Sequence, residues 1–321
     1  MATTARAPGR LAIPGLLGAR GRQSAQERAD ARLGLLLAAP AILIIFLIAV
    51  IPLAGTVWDS LFRLSLRFEN APRPFVGLDN YVAALNDDAW FNALSVTGLV
   101  TVASVAAELV LGMIIALLIN RNFVGRGIVR ASVLVPWALT TVVSAKMWAW
   151  IYDGRYGVAN DLLIRIGVID APIIFLVRPE VTIWAMIVAE IWKTTPFMAL
   201  LLLAGLQLIP QELYEASSLD GASRWQTFWR ITLPLLRPTI LVALLFRTID
   251  AVWMFDLPRV LTNGGPGKST ETVVLYTYNT LFTSLNFGYG STLAVISFLI
   301  VMLISFVYIK VLGAPTQGAR R

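Results

Sequence analysis

Six charged residues interrupt apolar stretches long enough to cross a membrane: Glu108, Lys146, Glu190, Lys193, Arg247 and Asp250. A charge exposed to lipid near the bilayer centre costs at least about 2.5–3.5 kcal/mol, so each of these groups must face protein or water. Glu190 and Lys193 are three residues apart, as are Arg247 and Asp250, so each pair can meet on one helix face. Two interpretations remain open: the pairs neutralise each other and brace helices, or they line a polar path for a solute.

The residues around Lys193 extend this candidate path. Trp192 could stack on the ring of a solute, and Thr194 adds a hydroxyl beside it. Pro196 and Gly205 are expected to loosen the same helix, as in helices that line a cavity.

The elements that carry these residues are predicted to be membrane-spanning helices. Hydrophobic residues make up 57% of the 321-residue chain and charged residues only 14%, far from the balance of a soluble domain. The predicted fold is an all-α polytopic membrane protein. Six apolar runs are interpreted as spans, at about 33–58, 91–119, 129–152, 181–209, 238–255 and 290–309.

The distribution of Lys and Arg predicts the orientation of these spans. Fifteen of them fall on the face that holds both termini and eight on the other, which places the N- and C-termini in the cytoplasm. Residues 1–32 are predicted to be a disordered cytoplasmic tail, and 313–321 a short second one. The net charge of +7 is assigned to these cytoplasmic segments and not to nucleic acid binding.

The absence of two residue types excludes several kinds of chemistry. The chain has no His and no Cys, which excludes a Ser-His-Asp triad, His- or thiolate-ligated metals and disulfides. Gly267-Lys268-Ser269 resembles part of a nucleotide-binding loop, but Thr262 occupies the position where a P-loop requires its first glycine. No nucleotide, metal or catalytic site is predicted.

The segment 210–238 is predicted to form a helix, a turn and a second helix. Pro210 opens a helix over 211–219, and Asp220 and Gly221 form the turn. Ser223 caps the second helix, which carries Trp225, Phe228 and Trp229. From these features alone the segment could be an amphipathic connector that rests on lipid headgroups.

The same segment resembles the EAA motif of ABC importer permeases, with matching spacing throughout. The matching residues, with Ser217 in place of the second alanine, are Glu215, Ala216, Ser217, Gly221, Ile231, Leu233 and Pro234. In that family this element is the coupling helix, which docks in a cleft of the cytoplasmic ATPase. The resemblance therefore implies that these residues and Asp220 contact an ATPase subunit.

Further motifs extend the resemblance over about 33–312 and indicate the carbohydrate-uptake class, which includes maltose, trehalose and glycerol-phosphate permeases. They are VGLDNY at 76–81, WKTTPF at 192–197, LLFRTID at 244–250, FD at 255–256, LTNGGP at 261–266 and YTY at 276–278. The pattern is most similar to the trehalose-importer permeases of actinobacteria. It implies a first helix and outer loop over 33–90 and a type I permease core over 91–312.

The resemblance implies a transport subunit and not an enzyme, in the bacterial cell membrane. A second homologous permease would complete a heterodimeric channel, an external solute-binding protein would deliver the sugar, and a separate ATPase dimer would hold ATP and Mg. This chain would bind no cofactor.

The six intramembrane charges balance, which favours a neutral disaccharide such as trehalose or maltose over glycerol phosphate or another small carbohydrate-like solute. Two other classes of protein are disfavoured by the sequence. A membrane transferase would need a carboxylate cluster at a membrane face, and the outer acids are scattered. The intramembrane charges and the Pro-interrupted fourth span argue against a non-transporting scaffold or receptor.

Overall fold

The structure is a computed structural model that describes residues 25–67 and 72–312, and it is predominantly helical. Three π-helical turns, at Phe46–Val50, Phe228–Thr232 and Asn279–Thr283, continue neighbouring α-helices. The α-helices are α1 (Ala25–Ile45), α2 (Ile51–Asp59), α3 (Asp79–Ala84), α4 (Asp88–Ile119), α5 (Arg126–Ala138), α6 (Thr141–Ile151), α7 (Val158–Arg165), α8 (Pro179–Gln207), α9 (Gln211–Leu219), α10 (Arg224–Thr227), α11 (Leu233–Val252), α12 (Asp256–Leu261), α13 (Val273–Tyr278) and α14 (Phe287–Leu312).

Four of the described helices are long and apolar enough to cross a membrane: Leu36–Asp59, Asp88–Ile119, Pro179–Gln207 and Phe287–Lys310. A fifth crossing is added if α5 and α6 together form one span. These elements agree with five of the six apolar runs in the sequence. The remaining run lies in α11, which does not meet the same criteria of length and composition.

The predicted third span, 129–152, is not one straight helix. α5 and α6 meet at a bend of 90°, where Leu139 and Thr140 adopt extended backbone conformations. Pro136 lies one turn before the break, and proline weakens the helical hydrogen bonding around it. Apolar composition predicted the crossing but carries no information about this change of direction.

The core is built where α4 and α8 pack against each other and against α11. Met113 of α4, Leu202 of α8 and Leu236 of α11 belong to one buried cluster. Gly205 permits α8 to approach α11, because a Cβ there would lie 2.4 Å from Thr239 Oγ1. The expected loosening of α8 at Pro196 and Gly205 is not observed: the helix is continuous, and Gly205 serves close packing instead.

Polar contacts hold the loops at the N-terminal end of α4. Asn80, in the VGLDNY motif, donates hydrogen bonds to the carbonyls of Ser60 and Phe62. Asp87 caps α4 and accepts hydrogen bonds of 2.6 Å from the hydroxyls of both Tyr276 and Tyr289. Burial raises the pKa of Asp87, but these hydrogen bonds outweigh that effect and lower it below its usual value.

The chain divides after Gly55 into two compact units. The first contains α1, the first π-helical turn and the start of α2, and the second contains all the candidate functional residues. Residues 1–24 and 313–321 lie outside the described residues, so the predicted tails stay predictions. The helix α1 begins at Ala25, within the segment assigned to the N-terminal tail.

Candidate functional site

Arg247 lies at the centre of a buried ion-pair cluster that joins three helices. Its Nε and Nη2 donate to Oε2 and Oε1 of Glu108 at 2.6 and 2.9 Å, in a two-pronged contact between α11 and α4. Nη2 also donates to Oε1 of Glu190 on α8 at 3.1 Å, and Nη1 pairs with Asp250. The side chains of Arg247 and Glu108 are 1% and 0% exposed, whereas that of Asp250 is 71% exposed.

This geometry bears out only part of the pairing expected from spacing along single helices. Arg247 and Asp250 do pair, but Arg247 is also bound by carboxylates of two other helices. Within the described residues no ion pair joins Glu190 to Lys193. Glu190 turns to Arg247 because a buried carboxylate gains more from a buried guanidinium than from a half-exposed ammonium.

Thr194 links the cluster to the backbone of α8. Its hydroxyl lies 2.7 Å from both Oε1 of Glu108 and the carbonyl oxygen of Glu190. One turn of α8 therefore presents Glu190 to Arg247 and Thr194 to Glu108. Glu108 thus has two hydrogen-bond partners, Arg247 and Thr194, which come from two different helices.

A polar cavity of about 250 Å³ lies beside the exposed edge of this cluster. Its carboxylates are Glu190, Asp250 and Asp256, and its one ammonium group is Lys193. Aromatic side chains and hydroxyls complete the wall, with the full lining formed by Trp137, Thr141, Glu190, Lys193, Thr194, Asp250, Trp253, Met254, Phe255, Asp256 and Leu257. Such a wall can accept hydrogen bonds from solute hydroxyls and stack against a ring.

Two of the sequence candidates, Lys146 and Trp192, belong neither to the ion-pair cluster nor to the lining of this cavity. Lys146 is exposed on α6, and Trp192 packs edge-on against Trp148 with ring centroids 5.7 Å apart. The aromatic residues that do line the cavity include Trp253 and Phe255, which sequence reasoning missed. Their position three and five residues after Asp250, at the end of a predicted span, is the signal that could have identified them.

The segment 210–238, which resembles the coupling element of the family, has the helix–turn–helix structure that its sequence predicts. The helix α9 is followed by Gly221 in the left-handed region at φ +73°. There the amides of Gly221 and Ala222 donate to the carbonyls of Ser218 and Ser217, a Schellman motif. The side chains of Ser223 and Gln226 then form a reciprocal capping box at the start of α10.

The substitution of serine for the second alanine of the motif has a structural role. The hydroxyl of Ser217 lies 2.7 Å from that of Thr227, which ties α9 to α10. Tyr214 lies 3.2 Å from the hydroxyl of Thr232 and so ties α9 to the π-helical turn that follows α10. The two helices therefore form one unit, which continues through a π-helical turn into α11 and carries Glu215, Leu219, Trp225 and Trp229 exposed on its surface.

The GKS segment is held by one hydrogen bond from α4 and by contacts of Lys268 with residues that follow it. The carbonyl of Lys268 accepts a hydrogen bond from Asn92 on α4. The Lys268 ammonium lies 3.8 Å from Glu271 and 5.6 Å from the centre of the Tyr276 ring. These contacts support its interpretation as a structural loop.

Comparisons with known proteins agree on one family. Residues 108–314 match the family described as "Binding-protein-dependent transport system inner membrane component". The trehalose/maltose transport system permease protein MalF of Thermococcus litoralis is 43% identical, over 88% of this chain and 94% of its own length. The trehalose transport system permease protein SugA of Mycobacterium tuberculosis is 39% identical, over 92% and 94%.

A third relative differs in the solute that its name records. The sulfoquinovosyl glycerol transport system permease protein SmoG of Agrobacterium fabrum is 42% identical, over 88% of this chain and 91% of its own length. Among solved structures, a bacterial ABC transporter involved in the import of the acidic polysaccharide alginate aligns with a TM-score of 0.76 at 24% identity. The alignment covers 91% of this chain and 99% of the other. At that identity the match supports the fold alone.

Proposed function

This chain belongs to the family of binding-protein-dependent transport system inner membrane components, and from that membership we propose how its cavity and coupling segment act in transport. It is a membrane-embedded permease subunit of an ABC importer for sugars, not an enzyme. The polar cavity is its part of the solute path. The observation that carries this assignment is the arrangement of Asp250, Lys193 and Trp253 around one opening beside the buried Arg247–Glu108 ion pair.

The solute is a neutral disaccharide such as trehalose or maltose. Three carboxylates and one ammonium group line the cavity, so the wall repels anions and offers acceptors for hydroxyl groups. Relatives named for trehalose and maltose transport support the same assignment. Glycerol phosphate and sulfoquinovosyl glycerol each carry an anionic group, which this cavity disfavours.

Asp250→Asn should reduce sugar flux at least about tenfold without loss of the assembled complex. The exposed carboxylate is a strong hydrogen-bond acceptor, whereas the amide accepts more weakly. Because Arg247 keeps its two-pronged contact with Glu108, the buried part of the cluster persists. Flux should be measured in proteoliposomes with the partner subunits and the binding protein, with Asp88→Asn as the control on an exposed carboxylate outside the cavity.

The same preparation tests the charge of the solute. Trehalose and maltose should stimulate ATP hydrolysis, and glycerol phosphate should not. Wild-type flux in Asp250→Asn would remove this residue from the path, and stimulation by glycerol phosphate alone would overturn the neutral assignment.

Six crossings, with α5 and α6 together as one and α11 as another, complete the proposed topology. At 1.5 Å per residue the 20 residues of α11 extend about 30 Å, the thickness of the hydrocarbon core. Its charged residues make α11 less apolar than the other proposed spans. The charge of Arg247, however, is buried and paired with Glu108. The Lys and Arg distribution favours cytoplasmic termini in a bacterial cell membrane.

Reporter fusions test this topology. Fusions after Arg321 and within 120–130 should report a cytoplasmic location, and fusions within 60–88 an external one. An external C-terminus would contradict both the six crossings and the assignment of the coupling segment to the cytoplasmic face.

The proposed mechanism is alternating access driven by a separate ATPase dimer that holds ATP and Mg. The coupling segment docks on the ATPase through the surface around Glu215 and Gly221, and a rigid connection through α11 carries the motion to the cavity. A second homologous permease forms the other half of the channel, and an external binding protein delivers the sugar. The ATPase can bias the two states only through contacts that differ between them.

A further inference from the structure

A second cavity, of about 280 Å³, lies between α4, α5 and α8 and shares no lining residue with the polar cavity. We call it the slot. Its wall is apolar except for Arg130 and Gln207, and the apolar part includes Ile119, Pro196, Leu200 and Ala204. Leu200 and Ala204 are exposed, so the slot opens at the surface of the chain.

The polar end of the slot lies where α4 and α8 end and α5 begins, and its apolar part extends from there along α8. Ile119 and Gln207 are the last residues of α4 and α8, and Arg130 lies near the start of α5. From Gln207 to Pro196 the slot follows α8 for about 16 Å. That distance equals about half of a hydrocarbon core roughly 30 Å thick, so the slot extends from a membrane face to the middle of the bilayer, the depth of one lipid leaflet.

The end of the slot at the membrane face is positively charged, and Arg130 forms no ion pair within the described residues. Nε and Nη2 of Arg130 donate to the carbonyl of Ile119 at 3.3 and 2.9 Å, which fixes the guanidinium at this end of the slot. Arg121 lies in the connection between α4 and α5, and Arg126 is the first residue of α5. No acidic residue occurs between Glu108 and Asp153. Basic pockets between transmembrane helices at a membrane face favour anionic lipid headgroups.

We propose that the slot binds one acyl chain of an anionic phospholipid from the surrounding bilayer, with its headgroup at Arg130. The occupant follows from the combination of an apolar trough one leaflet deep with a basic end. A soluble anion would use only the basic end, whereas a neutral lipid would use only the trough. The proposal requires that the chain lies in a bilayer and is independent of the solute assigned to the polar cavity.

Native mass spectrometry of the assembled transporter tests this proposal, after purification from bilayers of equal phosphatidylglycerol and phosphatidylcholine content. The wild-type complex should retain phosphatidylglycerol in preference to phosphatidylcholine. Ala204→Phe places a large side chain in the slot and should abolish retention. The matched control is Ala131→Phe, at an exposed position of α5 outside the slot, which should retain the lipid.

Substitutions of Arg130 test the charge. Arg130→Gln should lower phosphatidylglycerol retention about fivefold, whereas Arg130→Lys keeps the charge and should preserve the preference. Arg178→Gln, at the opposite end of α8, should have no effect. Equal retention of both lipids by the wild type, or undiminished retention in Ala204→Phe, would overturn the proposal. Failure of Ala204→Phe to assemble would overturn it as well, because the slot would then belong to a subunit interface.

Discussion

The Arg247→Leu variant should lose most of its assembled complex, because the substitution leaves Glu108 and Glu190 buried without their shared cation. Removing one partner of a buried ion pair costs about 3–5 kcal/mol, a large part of the stability of an ordinary domain. The measurement is the yield of the complex after purification and its thermal unfolding midpoint. Asp250→Asn is the control, since its side chain is mostly exposed.

Two double variants identify the residue that Arg247 stabilises. Arg247→Met combined with Glu108→Gln removes both buried charges of the two-pronged contact and should restore much of the yield. Arg247→Leu combined with Asp250→Leu leaves Glu108 fully buried and unpaired, and should not. The reverse order of yields would show that the pair within α11 is the dominant one, as spacing along that helix alone suggests.

Gly221→Val should reduce transport at least about tenfold, while the subunit still inserts into the membrane. Left-handed backbone costs a residue with a Cβ about 1–2 kcal/mol, too little to unfold the protein but enough to distort the turn at φ +73°. Within the described residues no atom lies within 4 Å of a Cβ placed there. A steric clash of that Cβ would then come from the ATPase that we propose docks on this surface.

Gly221→Asn separates backbone strain from docking, because asparagine tolerates the left-handed region. If docking requires a bare backbone, Gly221→Asn and Gly221→Asp should both impair ATPase assembly, measured by co-purification of the ATPase. Glu215→Lys should do the same by reversing an exposed charge. Normal uptake in Gly221→Asn and Glu215→Lys would contradict the docking role.

The coupling segment could be predicted closely because its signals are local. Helix α9 has the predicted bounds, since Pro210 precedes it and Gly221 follows it within one short stretch. The cap at Ser223 depends on a residue only three positions away. Contacts of this kind depend on neighbouring residues, which are visible in the sequence.

The ion-pair cluster could be predicted only in part, because its main contact is not local. Glu108 and Arg247 are separated by 139 residues, and the pattern along α11 shows only the i,i+3 neighbour. The bend between α5 and α6 was missed for a related reason. Hydropathy measures how apolar a segment is and contains no term for the direction of its backbone.

The order of the buried charges along the chain has a consequence for biogenesis. Glu108 emerges from the ribosome 139 residues before Arg247, and Glu190 also precedes it. At about 5–20 residues per second, Arg247 is synthesised roughly 7–28 s after Glu108. During that interval α4 is a nascent membrane helix with an unmatched polar group. The insertion machinery must therefore shelter α4 and α8, or delay their release into lipid, until α11 has been synthesised.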